Sequence, residues 1–414
     1  MLKPQEFIAY VENFSAFNQR TEIVRNTVDL TPRFINEFWT SSQRLASSLH
    51  EISYRACFKP QLPRFFIEKL TEPGDIVFDP FSGRGTTVLE AALLNRRIIS
   101  SDVNPLSEIL ASPRLNPPKP EDVQRRLSEI PLHHKLNSNL DLSMFYEENT
   151  LHEILSIQKY LCDRQSAGRE DSIDRWIRMV STNRLTGHSP GFFSVYTMPP
   201  NQAVSAKRQE LINKKRQSAP TYRNTKDLIY KKTKSLLKSI TQTELDNLHR
   251  VRGQSLFLTN DARELKSIPN GHIQLTVTSP PFLNVVNYSD DNWLRCWFNH
   301  INPGSVEITM TDSLDIWIQT MAGVFKELFR ITKQGGFVAF EVGEVIKGRL
   351  LLEEPVLKIG EAAGFTPIGV MINKQTFTKT SNIWGVRNNT GGTNTNRIVI
   401  FHKGRDQGLG IRRG

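Results

Sequence analysis

The sequence predicts an α/β fold: a Rossmann-like sheet with helices on both faces, a terminal antiparallel hairpin, and a mostly helical insertion. Three observations predict it. A short β-type run, Ile76-Val77-Phe78, leads through Asp79 into the glycine loop Ser82-Gly83-Arg84-Gly85. A second run, in which Ile273, Leu275 and Val277 alternate with Gln274 and Thr276, leads into Thr278-Ser279-Pro280-Pro281-Phe282. Between them, roughly Pro113 to Arg252, lies a long stretch with helical character and no glycine-rich nucleotide signature.

The first run is bulky and β-prone and follows the turn signal Pro73-Gly74-Asp75, as a short buried strand should. Asp79 and Pro80 end it. Two glycines then permit a tight turn and close approach of a ligand to the backbone. Thr86 and Thr87 open a helix through Val88, Leu89, Ala91, Ala92 and Leu93. The next strand, Arg97-Ile98-Ile99-Ser100-Ser101, stops at Asp102, where an acid can accept hydrogen bonds from ribose hydroxyls. A strand-to-helix turn without a ligand is all that this loop specifies alone. A nicotinamide-binding loop is disfavoured, because Gly83-Arg84-Gly85-Thr86-Thr87-Val88 lacks the third glycine of G-x-G-x-x-G.

The second segment is more specific. Pro280 and Pro281 fix two φ angles and remove two amide donors, so the turn is stiff and its carbonyls can face a cleft. A rigid acceptor beside an aromatic face suits an exocyclic amine on a nucleobase. The amine lone pair is delocalised into the ring, and acceptors on its protons return density to nitrogen. Phe282 is expected to stack on the base.

The remaining elements extend the same sheet. Trp317, Met321, Phe325, Leu328 and Phe329 recur at helical spacing, and Gly335-Gly336 is expected to stop that helix before the strand Phe337 to Val342. Pro355 to Ala363 suits a helix ended by Gly364. Phe365 to Asn373 and Arg397 to Phe401 are expected to form the terminal hairpin. The Thr-, Asn- and Gly-rich stretch between them, Thr376 to Asn396, reads as a surface loop or a phosphate-contacting one, with Arg387 as a candidate contact. After the proline turn, Trp293, Leu294, Trp297 and Phe298 read as the buried face of a helix capped by Asp290 and Asp291.

These boundaries divide the chain into 1–112, 113–252 and 253–414, the outer parts forming one domain and the middle part the insertion. The insertion is strongly basic: Lys207, Lys214, Lys215, Arg216, Lys231 and Lys232 stand among few acids. A solvated helical face is the ordinary meaning of such a run. The whole chain carries a net charge of +11 and a pI of about 9.5, which favours a polyanionic partner. The turn-rich stretch from Arg184 to Ser194, with its aromatic pair Phe192-Phe193, is a candidate for reaching base edges or supporting the pocket.

At 414 residues the chain can bury a substantial core as one elaborated domain or two. Three scattered cysteines argue against a disulfide framework, and no His/Cys cluster has metal-ligand spacing, so no metal is expected. No apolar stretch is long enough for a membrane helix. The start, Met1-Leu2-Lys3-Pro4-Gln5, lacks an apolar signal region, so a cytoplasmic location is expected.

The two signature segments together resemble motifs I and IV of the S-adenosylmethionine-dependent DNA amino-methyltransferases, and the likeness extends over most of the chain. The resemblance implies a methyl donor, S-adenosylmethionine, bound by Asp79, Phe81, Gly83, Gly85, Thr86 and Asp102. Phe58-Lys59-Pro60-Gln61-Leu62-Pro63 resembles the family's amino-terminal motif that helps hold the methionine end, which implies roles for Lys59 and Gln61. Ser255 to Ala262 resembles the strand whose terminal acid, here Asp261, contacts the cofactor adenine. Ser279, Pro280, Pro281 and Phe282 are then the catalytic loop. The insertion, lying after motif I and before motif IV as in the family's α group, is then the target-recognition region, with Arg184 and the basic residues above as nucleic-acid contacts.

The family's two branches differ at the first position of that loop. Adenine enzymes usually carry Asp or Asn before Pro-Pro and cytosine-N4 enzymes usually carry Ser, so Ser279 favours N4 of cytosine. Methylation at carbon 5 of cytosine needs a cysteine nucleophile, usually after a proline, whereas Cys57, Cys162 and Cys296 follow Ala56, Leu161 and Arg295. The implied function is site-specific methylation of double-stranded DNA, within a restriction-modification or related defence system and alongside a cognate endonuclease by the family's habits. Adenine N6 methylation, RNA base methylation and a catalytically silent nucleic-acid-binding protein are the alternatives.

Overall fold

In a computed structural model the protein is described at residues 1–16, 19–25, 29–39, 46–55, 57–199, 203–281, 288–302, 304, 306, 311, 313–342, 344–345, 350–374 and 395–404. Among these residues nine strands form the main sheet: β1 Glu22–Arg25, β2 Pro32–Asn36, β3 Ile76–Asp79, β4 Arg97–Ser101, β5 Leu256–Leu258, β6 Ile273–Thr278, β7 Thr332–Val342, β8 Thr366–Lys374 and β9 Thr395–His402. Their order is β1-β2-β8-β9-β7-β6-β3-β4-β5. The run from β7 to β5 is parallel, and β9 lies antiparallel to both neighbours. The chain therefore moves outward from β3 through β4 to β5 and returns to β6 on the other side of β3. That reversal opens a crevice beyond the carboxyl ends of β3 and β6, where open parallel sheets bind ligands.

Strand alternation builds two cores. Val77, Leu275, Val277, Phe337, Ala339 and Ile398 enter one face, while Phe78, Val338, Phe340, Val399 and Phe401 enter the other. Each set recurs at the two-residue period of a pleated strand. The helix Leu314–Ile331 covers the second face through Trp317, Met321, Phe325 and Leu328, and Phe325 meets Phe401 edge to face at 5.3 Å. The helix Thr86–Leu93 covers the first face and is buried along its whole length.

Two boundaries differ from the sequence expectation. Gly335 and Gly336 do not stop the preceding helix: it ends at Ile331, and β7 begins at Thr332 and runs through both glycines. Thr332 turns the chain extended while its hydroxyl donates back to Leu328 O at 2.6 Å, so the helix end is closed from the side chain. Gly335 takes φ +82° inside the strand, and its amide donates to Lys403 O. The amino-terminal strands β1 and β2, unread in the sequence, widen the sheet beyond its terminal hairpin by pairing β2 with β8.

The insertion is mostly helical, with Glu148–Ser166, Ser172–Arg184, Ala206–Arg216 and Thr225–Leu237 among its helices. Its Ile154, Trp176 and Phe193 belong to the same buried cluster as Leu89 and Ile98 of the sheet layer. It packs as a continuation of the core. Among the described residues, no helix is long and apolar enough to cross a membrane.

Candidate active site and cofactor cleft

The glycine loop turns as its composition requires. Gly83 and Gly85 take φ +50° and +76°, in the left-handed region that favours glycine. A Cβ on Gly85 would lie 2.5 Å from Ala111 Cβ, so both space and conformation demand its absence. Asp102, at the end of β4, accepts from the Gly83 amide through Oδ2 at 2.8 Å and from the Asn104 amide through Oδ1 at 2.9 Å. Each oxygen keeps a lone pair for a ribose hydroxyl. Burial pushes the Asp102 carboxyl above its ordinary range, against the pull of those two amides.

The ends of β3 and β6 are tied directly. Thr278 Oγ1 donates to Asp79 Oδ1 at 2.6 Å, and the Phe81 amide donates to the same oxygen at 3.1 Å. Asp79 is fully buried, which pushes its pKa up to about 6 despite these donors. Ser279 and the two prolines follow at once. Trp317 Nε1 donates to Pro281 O at 3.0 Å, and Ser279 stands close enough to Glu341 to oppose the upward shift of its carboxyl. Glu341 is buried on β7, whose register sets Phe340 beside Thr278. Its pKa is pushed up to about 7 by burial, with the bonds from Asn396 and Ser279 opposing.

Together these elements line a cleft of about 1060 Å³, counting the space at its mouth. Phe81, Gly83 and Asp102 lie along it with Asp261, and Ser279 and Pro281 face it with Trp317. Asp79 and Thr86 also line it. Of the amino-terminal motif, Tyr54, Cys57 and Phe58 reach the cleft, whereas Lys59 and Gln61 do not line it. Asp261 is engaged by Arg263, which donates to both of its oxygens at 2.6–3.1 Å and holds its carboxyl below the ordinary range. Carboxylates among aromatic and aliphatic walls, with one glycine leaving room below Tyr54, fit a nucleoside bearing a positive charge. S-adenosylmethionine is such a ligand.

Two arginines, Arg114 buried and Arg84 partly so, fix the loop from behind. Arg84 donates to Ile52 O at 2.7 Å and His50 O at 3.3 Å, while Arg114 donates to Leu49 O, Leu110 O and Arg84 O. Arg114 is fully buried; its desolvation, with Arg84 beside it, pushes its pKa down to about 9. The sequence reading singled out neither Arg114 nor Glu341. An arginine after a helix and a glutamate inside an apolar run carry no local signal of these partners.

The N6/N4 methyltransferase family model, described as DNA methylase, matches residues 12–109. That segment holds the glycine loop, Asp102 and the arginine-bound stretch before them. Over residues 12–109 the chain is therefore similar to the DNA amino-methyltransferases. Among its relatives, the type II methyltransferase M.MvaI of Kocuria varians is 29% identical over 94 residues, 22% of this chain and 20% of that protein. M.XycI of Xanthomonas campestris pv. cyanopsidis is 45% identical over 58 residues, 14% of this chain and 19% of its own. The chain spans about a fifth of the length of these curated relatives. Among solved structures, an S-adenosylmethionine-dependent methyltransferase from Methanosarcina mazei is 11% identical over 82% of this chain and 96% of that one, with a TM-score of 0.31.

The basic residues of the insertion divide into two groups. Lys207, Lys214, Lys215, Arg216 and Lys231 are exposed, and the helix Ala206–Arg216 buries only Gln209. Arg216 stacks over the Tyr196 ring at 3.7 Å. Arg184, by contrast, is not on the open surface: it is 8% exposed, lies 3.9 Å from the Phe192 ring centre and donates to Asn183 Oδ1 at 2.7 Å. The turn after it folds back, so Phe192 covers the guanidinium. Lys232 is likewise largely enclosed and paired with Glu51. Phe282 and Arg387 lie outside the described residues.

Proposed function

We propose that this chain transfers a methyl group from S-adenosylmethionine to the exocyclic amine of a base in double-stranded DNA, with N4 of cytosine as the target. The observation that carries the reading is the Ser279-Pro280-Pro281 turn held at the cleft between Trp317 and Glu341. Phe81, Gly83, Gly85, Thr86, Asp102 and Asp261 hold the donor, with Asp79 bracing the loop. Bound there, S-adenosylmethionine supplies an electrophilic sulfonium methyl group. Ser279 Oγ, whose proton points to Glu341, presents a lone pair to the amine N–H of an extruded base. As the amine nitrogen takes the methyl group, its surplus proton passes through the Ser279 hydroxyl to Glu341. A carboxylate with a pKa near 7 suits that transfer.

Ser279 at the first position of the turn is what favours cytosine over adenine. Residues 113–252 serve as the target-recognition part, with Lys207, Lys214, Lys215, Arg216 and Lys231 facing the phosphates. The reading carries with it a cytoplasmic enzyme and, in a restriction-modification system, a paired endonuclease.

The test is base-resolution modification mapping of DNA from cells expressing the chain, beside a Ser279→Ala, Pro280→Ala control. Methylated cytosine amines in a recurring short motif, absent from the control, are the expected outcome. Methylated adenine would overturn the Ser279 argument, and unmodified DNA beside methylated RNA would overturn the substrate.

A further inference from the structure

We propose that Lys232 and Lys238, with the buried charge of Arg184 behind them, form a seat for one backbone phosphate of the nucleic-acid substrate, which Glu51 occupies as an internal counter-ion until that phosphate arrives. The inference rests on the proposed nucleic-acid substrate and goes beyond it by assigning a site and a competitor for it.

The seat is built on one side of the helix Thr225–Leu237 and its cap. Glu51 Oε2 accepts from Ser235 Oγ at 3.1 Å and lies 3.4 Å from Lys232 Nζ, and Oε1 lies 3.1 Å from Lys238 Nζ. A carboxylate thus rests on two ammonium groups and a hydroxyl, the donor set a phosphate monoanion uses. Arg184, at the end of the helix Ser172–Arg184 and under the Phe192 ring, adds a buried positive charge that Glu51 partly offsets. Three cations therefore stand around one acid, and the group is short of negative charge. Burial, then Arg184, pushes Lys232 down to about 8, against the upward pull of Glu51. Partial burial alone would raise Glu51, yet Lys238 and Lys232 hold it below its ordinary range.

Position links the seat to the cleft. Glu51 lies between His50 and Ile52, whose carbonyls receive Arg84 of the glycine loop, and Tyr54 lines the cleft three residues on. Ser53 O accepts from Asn183 Nδ2 at 3.2 Å and from Arg295 Nη2 at 3.0 Å. One short segment thus meets the donor site, the insertion and the helix after the catalytic turn. The seat opens to solvent, since Lys238 and Glu51 side chains are 61% and 41% exposed.

The experiment is fluorescence anisotropy of a labelled duplex oligonucleotide with S-adenosylhomocysteine present, in potassium chloride from about 50 to 200 mM. Wild type is compared with Lys232→Met, Lys238→Met, Glu51→Gln and Lys232→Arg. Lys232→Met and Lys238→Met should each lower the slope of log affinity against log salt by about 0.9. Glu51→Gln should tighten binding about two- to fivefold by removing the competitor. Wild-type affinity should fall between pH 7 and 9 as Lys232, facing Glu51, Ser235, Lys238 and Arg184, loses its proton, and Lys232→Arg should abolish that fall. Lys238→Met stands on an exposed side chain and tests the seat without disturbing the fold. Wild-type slopes in both methionine variants, or a Glu51→Gln protein that melts lower but binds unchanged, would leave Glu51 a structural latch and overturn the seat. A wild-type chain that binds no duplex at any salt would instead sink the substrate reading, and the seat with it.

Discussion

The indole Nε1 of Trp317 donates to the carbonyl oxygen of Pro281 at 3.0 Å, joining the helix Leu314–Ile331 to the turn at the end of β6. Trp317 is almost wholly buried, so the bond is made away from water and the carbonyl has no ready substitute. Proline leaves this turn no amide donors of its own at positions 280 and 281. Trp317→Phe keeps most of the ring volume and removes the donor. An unsatisfied buried carbonyl costs about 1–3 kcal/mol, so turnover should fall about tenfold or more, with affinity for S-adenosylmethionine changing less. Steady-state methylation and calorimetric titration separate the two; a larger loss in cofactor affinity than in turnover would assign Trp317 to the donor site instead.

The second prediction concerns Glu341 and pH. Burial raises Glu341 to about 7 in the folded chain against an ordinary 4.5, and Asp79 to about 6 against 3.8. A carboxyl whose folded pKa is raised holds its proton more tightly folded than unfolded. Its contribution is therefore complete below the unfolded value and is lost as pH rises through the folded one. Between about pH 4 and 7 these two groups lower stability as pH rises. Glu341→Gln cannot ionise, so it should gain melting temperature relative to wild type above pH 7 and gain nothing near pH 4. Its turnover should drop about 10²- to 10⁴-fold, and the rise of wild-type activity through pH 7 should vanish. An active Gln variant with an unchanged pH profile would remove Glu341 from proton transfer.

How much of this was legible in the sequence depends on whether the signal is local. Gly83 and Gly85 announce themselves because a left-handed turn against Ala111 tolerates little else. Strands β3, β4 and β6 announce themselves by apolar runs ending in polar residues. Glu341 does not, because its meaning lies in pairings: Thr278 beside Phe340 brings β7 to the catalytic turn, and Glu341 opposes Ile398 of β9. Strands β1 and β2 depend on β8, more than 300 residues later, which fits no sequence window. Arg184 read as a surface cation because nothing local says that Phe192 folds back over it. Gly335-Gly336 read as a helix stop because glycine usually is one, but Thr332 had already ended the helix from its own side chain.

The glycine loop gives a graded prediction. Gly85→Ala meets Ala111 Cβ at 2.5 Å and Val88 Cγ2 at 2.9 Å and must hold φ +76°. The conformation costs about 1–2 kcal/mol and the overlap about 1–3 kcal/mol. Gly83→Ala meets only the Tyr54 ring, at 3.4 Å, with φ +50°. Denaturant melts should therefore show Gly85→Ala clearly less stable than Gly83→Ala. Gly83→Ala should lose mainly cofactor affinity, since its new methyl group stands at the cleft wall. Equal losses of stability would mean that the loop relaxes and that packing against Ala111 does not constrain it.

Asp102 tests the donor site most directly, because its two oxygens perform separable tasks. Oδ2 holds the Gly83 amide and Oδ1 the Asn104 amide, so the carboxylate fixes the glycine loop as well as facing the cleft. Asp102→Asn offers one oxygen in place of two and points an NH₂ at a backbone N–H. One of the two amides then loses its acceptor, costing about 1–3 kcal/mol. Asp102→Ala removes both acceptors but introduces no opposed donor. If the carboxylate serves ribose hydroxyls as well as the loop, S-adenosylmethionine affinity should fall at least about tenfold in both variants, beyond what any drop in melting temperature accounts for. Asp102 ionised is costly in its buried setting, and a ligand donating to it offsets that cost. Cofactor affinity in the wild type should therefore weaken as Asp102 protonates at low pH, while Asp102→Asn should show no such dependence. A wild-type affinity indifferent to pH, with both variants binding normally, would confine Asp102 to holding the loop.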